Sequence, residues 1–222
     1  MNNLSHTEEN YLKTIFSLSS ENNGKDAVST NAISDVLQTR PASVSDMIKK
    51  LSTKELVDYT KYKGVTLTKE GERMAIYIIR KHRLWEVFLV EKLGFNWDQV
   101  HDIAEQLEHI KSTILIERLD HFLGFPSVDP HGDPIPNAAG DFVTKEKKLL
   151  NALNKGDTGT VVGVNDADPS LLKYMDRLGI RLGTNIKVID FIEFDKSLEI
   201  EINNHQKTLI SKDVSTNIYI EN

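Results

Sequence analysis

The spacing of apolar residues along the first third of the chain predicts helices followed by a short β-hairpin. The predicted elements are a helix over 5–20, a short helix over 30–37, a second helix over about 42–54, and strands over 57–59 and 65–67. A break at Gln38–Pro41 separates the two later helices, and Gly64 beside lysines suits the tip of the hairpin. Helix, turn, helix and hairpin is the order of a winged helix-turn-helix, so we predict that fold here.

The remaining two thirds of the chain change from helical to strand-like patterning. Long helical patterns cover about 68–92 and 97–122, and their uncovered apolar faces indicate a helical dimer interface. A loop with four prolines and two glycines follows at 126–142. Short β-branched runs, interrupted by one helix at about 169–178, then suggest a small SH3-like barrel. The predicted strands lie at 159–164, 185–192, 198–202, 207–210 and 216–220.

These elements predict a fold that is mainly α with a small β part. We expect three domains. They are a winged helix-turn-helix domain over 1–74, a helical domain over 75–144 that ends in the proline-rich linker, and an SH3-like domain over 145–222.

Composition excludes several classes of protein and of site. The chain of 222 residues contains no cysteine, so it has no disulfides, thiolate zinc sites or cysteine nucleophiles. Its longest apolar runs are far too short to cross a bilayer, and MNNLSHTEEN has neither the basic nor the apolar stretch of a signal peptide. We therefore expect a soluble, cytoplasmic protein with no membrane partner.

Positive charge is concentrated around the predicted helix-turn-helix, although the chain as a whole carries a net charge of −6. Residues 40–69 contain seven basic residues against three acidic ones. In a recognition helix the first residues reach base edges, while lysine and serine hold phosphates. The candidate DNA contacts are Arg40, Pro41, Ala42, Ser43, Ser45, Asp46, Lys49, Lys50, Lys61 and Lys63. Plain solvent exposure of these side chains is the open alternative, as is an ordinary helical hairpin over 30–54.

The acidic middle segment carries carboxylates and imidazoles at helical spacing, which places them on shared helix faces. The donors are the stripe His101, Glu105, Glu108 and His109 and, on the preceding helix, the pair His82 and Glu86. Converging groups of this kind repel or stay half-solvated unless a cation lies among them. Nitrogen and oxygen donors without sulfur suit ions such as Mn²⁺, Fe²⁺, Co²⁺ or Zn²⁺. A solvated helix face with weak ion pairs is the alternative.

The sequence contains no catalytic signature that competes with this interpretation. Glycine-rich nucleotide motifs, the HExxH zinc motif and the GxSxG nucleophile elbow are all missing. A metal hydrolase can use the same carboxylates and histidines, but no recognisable substrate pocket or base accompanies them. We therefore expect a protein that is not an enzyme and has no small organic substrate.

Three sequence blocks, in this order, resemble a known family. They are ENYLKTIFSL at 9–18, KHRLWEVFLVEKLG at 81–94, and VHDIAEQLEHI at 100–110 followed by DPHGDPIP at 129–136. Together they are similar to the iron- and manganese-dependent repressors typified by the diphtheria toxin repressor, over nearly the whole chain and including a FeoA-like third domain. The resemblance implies a homodimer that binds double-stranded DNA at a palindromic operator and holds two Mn²⁺ or Fe²⁺ ions per subunit.

The resemblance also implies metal ligands by position. One site takes Asn10, Glu105, Glu108 and His109, and the other takes His82, Glu86, His101, His131 and Asp168, with Asp129 where some members have a ligand. Iron-sensing members have Cys at position 105, and the harder oxygen donor of Glu favours Mn²⁺. Two other departures are Asn10, where members have Asp or Met, and Lys13, which replaces an acidic ligand of short manganese sensors.

The predicted function is a metal-dependent transcriptional repressor that controls genes of metal homeostasis. Clustered carboxylates repel one another without metal, whereas a bound ion fixes the winged domains so that two recognition helices match successive major grooves. Two alternatives stay open at this point. One is a metal-binding enzyme or metal buffer whose winged helix serves protein contacts, and the other is a regulator that senses an organic ligand.

Overall fold

The structure, a computed structural model, describes residues 4–21, 27–60, 63–165 and 168–221. The chain folds into two compact units, each assembled from separate stretches of sequence. The first unit draws on 1–82, 105–113 and 136–141, and the second draws on 83–104, 114–135 and 142–222. Among the described residues, no helix is both long and apolar enough to span a bilayer.

The first unit contains the predicted winged helix-turn-helix. Its elements are α1 (His6–Glu21), α2 (Thr30–Val36), α3 (Pro41–Thr53), the antiparallel strands β1 (Val57–Thr60) and β2 (Gly64–Leu67), and the first half of α4 (Lys69–Leu93). The predicted order of helix, turn, helix and hairpin is therefore confirmed. The helix predicted over 68–92 is confirmed as α4.

Local sequence signals explain where the helices of this unit begin. Ser5 and Glu8 form a capping box at the start of α1, because the Glu8 N–H donates to Ser5 Oγ and the Ser5 N–H donates to Glu8 Oε2. Ser29 caps α2 by accepting from the Ala32 N–H, and Pro41 begins α3, where its missing N–H costs nothing. The apolar helix faces meet in one core, whose buried members include Leu12, Ile15, Ile33, Ile48 and Leu51.

The stretch predicted as one helix over 97–122 consists of three shorter elements, so that prediction was wrong. They are a 3₁₀ turn at Trp97–Gln99, α5 (His101–Leu107) and α6 (Thr113–Phe122). After α5 the Ile110 N–H turns back to the Leu107 carbonyl at 3.1 Å, which closes a turn in place of a helical hydrogen bond. Buried polar contacts of Glu108 and His109 hold the chain in this turn and override its helical propensity.

The second unit contains a six-stranded antiparallel sheet. Its strands are β3 (Lys148–Leu149), β4 (Thr158–Val164), β5 (Asn185–Phe191), β6 (Leu198–Ile202), β7 (Gln206–Ile210) and β8 (Ile218–Glu221), in the order β3-β8-β4-β5-β6-β7. The helices α7 (Pro169–Leu178) and α8 (Lys212–Ser215) lie between strands in the chain. Alternating strand residues and Met175 of α7 share one core. The predicted strands and helix of this region are confirmed to within two residues.

Candidate metal centre and nucleic-acid interface

Glu86 lies at the centre of a buried group of oxygen and nitrogen donors. It follows His82 by one turn of α4, and its side chain is only 1% exposed. Its Oε1 lies 3.8 Å from Nδ1 of His101, and its Oε2 lies 3.9 Å from Nδ1 of His131. Donor atoms of Glu86, Asp129 and His131 all lie within 4.8 Å of one another. The separations of 3.8 and 3.9 Å are too long for hydrogen bonds but suit atoms that share one ion at about 2.0–2.2 Å from each.

The DPHG loop at 129–132 holds two of these donors through its own backbone. Asp129 Oδ1 accepts the N–H groups of His131 at 2.9 Å and of Asp133 at 3.0 Å. Nε2 of His131 lies 2.8 Å from the carbonyl oxygen of Trp97. Because a carbonyl oxygen only accepts, Nε2 carries the proton, and a neutral His131 ring keeps its lone pair on Nδ1. Nδ1 is therefore the atom through which this side chain would bind an ion.

Negative charge in this group exceeds what the neighbouring cations compensate. Burial, together with the carboxylates of Glu86 and Asp133, raises the pKa of Asp129 to about 7, although Arg83 and His131 act to lower it. Arg83 is shared between neighbours, since Nη2 donates to Asp133 at 2.9 Å and Nε lies 3.5 Å from Asp129 Oδ2. A carboxyl group with such a pKa marks a place where a further cation is favourable. The residues present therefore fit a divalent metal ion.

Glu105 and Glu108 form a second carboxylate group, and here a lysine lies between them. Nζ of Lys13, on α1, donates to Glu105 Oε1 at 3.0 Å and to the two Glu108 oxygens at 2.8 and 2.9 Å. Glu108 is fully buried and also accepts a hydrogen bond from Nδ1 of His82 at 2.6 Å. Burial acts to raise the pKa of Glu108, but His82 and Lys13 outweigh it, so the net pKa lies below the usual range.

His109 and Asn10 belong to the same unit as this second group. Nδ1 of His109 lies 2.5 Å from Oε2 of Glu9, and the His109 ring stacks on that of His6 with centroids 4.2 Å apart. A carboxylate on one imidazole nitrogen orients the other nitrogen for a metal. Oδ1 of Asn10 is buried and finds no hydrogen-bond partner among the residues that the structure describes, so it is an oxygen that an ion would satisfy. Glu9 was not among the predicted ligands, and its one signal in the sequence is that it precedes Asn10.

Asp168 is the predicted ligand that comes from the third part of the chain. It caps α7, where its Oδ1 accepts the N–H of Ser170 at 2.8 Å, and hydrogen bonding to Ser170 lowers the pKa of this exposed carboxyl. Across the described ranges, the groups of three histidine or carboxylate donors that converge within 4.8 Å all include Glu86, and none includes Asp168 or Glu105. The role of Asp168 as a ligand stays a prediction.

α3 presents a polar face on the side opposite to its buried residues Val44, Ile48 and Leu51. The predicted DNA contacts that are exposed here are Arg40, Pro41, Ala42, Ser43, Asp46, Lys49 and Lys50. Ser45 is half-buried and donates from its Oγ to the Pro41 carbonyl. In the hairpin, Lys63 is exposed, and Lys61 lies outside the described residues. This arrangement suits a helix that enters a DNA groove.

Glu8 ties α1 to α3. Its Oε1 lies 2.6 Å from Nζ of Lys54 and 3.3 Å from Nζ of Lys50. Burial acts to raise the pKa of Glu8, but Lys54, Ser5 and Lys50 outweigh that effect and hold the pKa at about 2. One predicted DNA contact, Lys50, is therefore already paired with a carboxylate of α1.

Comparison with known proteins covers the chain in three consecutive parts. The N-terminal DNA binding domain of the iron dependent repressor family matches residues 3–65. The metal binding and dimerisation domain of the same family matches residues 68–137. The FeoA domain matches residues 148–222.

Individual relatives agree with these matches. The iron-dependent repressor IdeR of Mycobacterium leprae (strain TN) is 33% identical over 168 residues, which cover 74% of this chain and 72% of that protein. A solved manganese-dependent transcriptional repressor in complex with manganese is 39% identical, with a TM-score of 0.85 over 96% of this chain and 98% of that one. The structure of the manganese regulator SloR is 34% identical, with a TM-score of 0.73 over 96% and 97% of the two chains.

These matches confirm the resemblance, the fold class and the metal-dependent repressor function predicted from the sequence. The relatives are DNA-binding regulators, so the prediction that the chain is not an enzyme is confirmed, and the alternative of a metal-binding enzyme or metal buffer is not supported. The chain belongs to the iron-dependent repressor family of metal-dependent, DNA-binding transcriptional regulators.

Proposed function

We propose that the chain represses genes of metal homeostasis in response to Mn²⁺, with Fe²⁺ as the second ion that its donors accept. The observation that carries the proposal is the buried group of Glu86, Asp129 and His131, in which the pKa of Asp129 is about 7. Carboxylate and imidazole donors suit Mn²⁺ and Fe²⁺. Ions that prefer sulfur find no thiolate, because the chain contains no cysteine.

We propose two metal ions per subunit. The ligands proposed for the first are Glu86, Asp129 and His131, with His82, His101 and Asp168 as further candidates, and those for the second are Asn10, Glu105, Glu108 and His109. When bound, a divalent ion supplies two positive charges and a fixed coordination geometry to each set. Asp129 gives up its proton to act as a ligand, so metal affinity at the first set rises as the pH rises through about 7.

Within the first unit, α1 links the second set of ligands to the recognition helix. Its first turns carry Glu8, which pairs with Lys50 of α3 and with Lys54 just after that helix, and Glu9, which contacts His109. A movement of α1 that brings Asn10 to an ion therefore acts on α3 as well. Metal and DNA affinities are then coupled reciprocally, typically by about 1–3 kcal/mol.

We propose that the repressor binds its palindromic operator as a homodimer. The helices of the second unit and the turn after α6 expose large apolar side chains, namely Leu93, Ile114, Leu115, Phe122 and, in the turn, Phe125. Exposed apolar groups of this kind mark protein interfaces, and the match to a dimerisation domain supports a second copy as the partner. Two recognition helices related by a two-fold axis then read half-sites about 34 Å apart.

For the domain bounds we propose the ranges 1–74, 75–144 and 145–222. The order of the three matched family domains supports this division. The first boundary lies within α4, whereas limited proteolysis near residue 144 tests the second, since linkers are cut before folded cores.

A DNA-binding titration with and without metal tests the proposed function. Duplexes selected from a random-sequence pool in the presence of Mn²⁺ supply the operator, and fluorescence anisotropy at fixed salt measures the affinity. We expect binding to be about 5- to 150-fold tighter with Mn²⁺ than with a chelator. We also expect the selected sequence to be an inverted repeat.

Two variants of α4 separate metal sensing from general charge effects. Glu86→Gln removes a charge from the first set of ligands and is expected to abolish most of the Mn²⁺ effect. Glu91→Gln changes an exposed carboxylate of the same helix and is expected to leave the effect intact. Equal affinity of the unaltered protein with Mn²⁺ and with chelator contradicts the proposal and favours a regulator that senses an organic ligand.

A further inference from the structure

Lys13 places a positive charge where the second set of ligands would hold a metal ion. Its ammonium group contacts one oxygen of Glu105 and both oxygens of Glu108 at 2.8–3.0 Å. The Lys13 side chain is only 17% exposed and Glu108 is fully buried, so solvent screens the contacts between these two weakly. Lys13 lies three residues after Asn10 on α1, and this spacing places both on one side of that helix.

Positive charge already lies around Glu108 without a metal ion. Nζ of Lys13 contacts Glu105 and Glu108, and Lys81 interacts electrostatically with Glu9 and Glu108. A divalent ion that enters this set is repelled by these ammonium groups, most strongly by Lys13, which contacts the carboxylates directly.

The two carboxylate groups of the chain differ in what stands next to their oxygens. Oxygens of Glu86 lie 3.8 Å from Nδ1 of His101 and 3.9 Å from Nδ1 of His131, separations that suit donors around an ion. Both oxygens of Glu108 instead accept from Nζ of Lys13 at 2.8 and 2.9 Å. In the second group an ammonium group thus already stands where an ion would bind.

We propose that Lys13 is a built-in cation that competes with the metal ion for Glu105 and Glu108. A metal ion must displace its ammonium group to reach these carboxylates, so the second set of ligands fills at a higher metal concentration than the Glu86 set. Lys13 thereby determines how far apart the two binding steps of a subunit lie. This inference rests on the proposed function, since it requires that the chain binds metal at both sets.

Removing the charge of Lys13 is expected to strengthen metal binding at the second set. Hydrogen bonds to charged groups contribute about 1.5–3 kcal/mol, which corresponds to about a 10- to 100-fold change in affinity. Lys13→Met keeps the length and apolar stem of the side chain without its charge, and Lys13→Gln is a second neutral variant. Lys13→Arg keeps the charge, and Lys69→Met changes an exposed lysine of the same unit as the matched control.

Titration of the full chain with Mn²⁺, with free Mn²⁺ read from its electron paramagnetic resonance signal, separates the two steps. In the unaltered protein we expect one tight step, which Glu86→Gln removes, and one weak step. Lys13→Met and Lys13→Gln should move the weak step to about 10- to 100-fold lower Mn²⁺ concentration, while Lys13→Arg and Lys69→Met leave it in place. Circular dichroism of each variant verifies that it is folded.

The outcomes distinguish this inference from the proposed function. If the unaltered protein binds Mn²⁺ in a Glu86-dependent step but the weak step is unmoved or weakened in both neutral Lys13 variants, the competition is refuted and the proposed function stands. If the unaltered protein binds no Mn²⁺ at all, both fail. If Lys13→Arg strengthens the weak step as much as Lys13→Met, the charge of Lys13 is not what opposes the ion, and the inference is also overturned.

Discussion

Replacing Glu8 by glutamine tests whether the carboxylate between α1 and α3 stabilises the DNA-binding unit. Glu8 is 1% exposed, and burial alone would raise its pKa. Lys54, Ser5 and Lys50 outweigh burial and lower the pKa from 4.5 to about 2. Glutamine has the same shape and keeps an oxygen for the Ser5 N–H, but it lacks the negative charge that pairs with the two lysines.

The lowered pKa sets both the sign and the size of the effect. The unfolded chain binds a proton at Glu8 below pH 4.5, and the folded chain does so only below about pH 2, so this stabilisation is complete above pH 4.5 and is lost as the pH falls toward 2. At about 1.4 kcal/mol per pKa unit the full contribution is about 3 kcal/mol. Because Lys50 is 54% exposed, solvent screens part of this, and we expect about 1–3 kcal/mol.

Urea unfolding followed by circular dichroism at several pH values measures the difference. Between about pH 6 and pH 8, Glu8→Gln should be less stable by a constant amount of about 1–3 kcal/mol, and the difference should shrink by about 1 kcal/mol at pH 3.5. Glu72→Gln, at an exposed carboxylate of the same unit, is the matched control and should show no difference. A difference that is absent at pH 7, or that persists undiminished at pH 3.5, refutes the reasoning.

Three further variants test the metal loop, the dimer face and the DNA face. A Cβ at Gly132 (φ +90°) would lie 2.1 Å from the Val162 carbonyl oxygen, so Gly132→Ala should lower melting temperature and Mn²⁺ affinity together. Gly156→Ala, at φ +93° with open space around it, should cost only backbone strain of about 1–3 kcal/mol. Equal Mn²⁺ affinities in the two variants would show that the DPHG loop does not position metal ligands. Phe122→Ser, at a side chain 62% exposed, should shift the protein toward monomer in sedimentation equilibrium. An unchanged dimer would show that the face around Phe122 is not the dimer interface. Lys49→Ala should weaken binding to all duplexes alike and reduce by about one the slope of log affinity against log salt concentration. A loss of affinity confined to the operator would show instead that Lys49 contacts a base.

Apolar periodicity predicted α4 well because buried apolar residues recur along most of that helix, from Ala75 to Leu89. The same signal failed over 97–122, where the chain leaves the helix between Leu107 and Thr113 without a glycine or proline. What ends α5 is a set of long-range polar contacts, and no local pattern reports those. Periodicity therefore locates apolar faces, but it does not locate turns that tertiary contacts impose.

In the candidate site, too, sequence patterns predict residues that share a helix but not contacts between distant parts of the chain. The pair His82 and Glu86 was predictable from spacing, because one helix carries both. The contact of Lys13 with Glu105 joins residues 92 apart in the chain, and the contact of His109 with Glu9 joins residues 100 apart. The DPHG loop came from the resemblance alone, since a loop has no periodicity to read.

The two carboxylate groups differ in what stands next to them, and this difference determines what each can affect. Around Glu86, burial and the neighbouring carboxylates raise the pKa of Asp129, so we expect metal binding there to depend on pH. Around Glu108, the carboxylates hold the ammonium group of Lys13, which belongs to the same helix as Glu8. Displacing Lys13 therefore couples the second group to the position of α1. Because Glu8 joins α1 to α3, we propose that occupancy of the second group is the step that acts on the recognition helix.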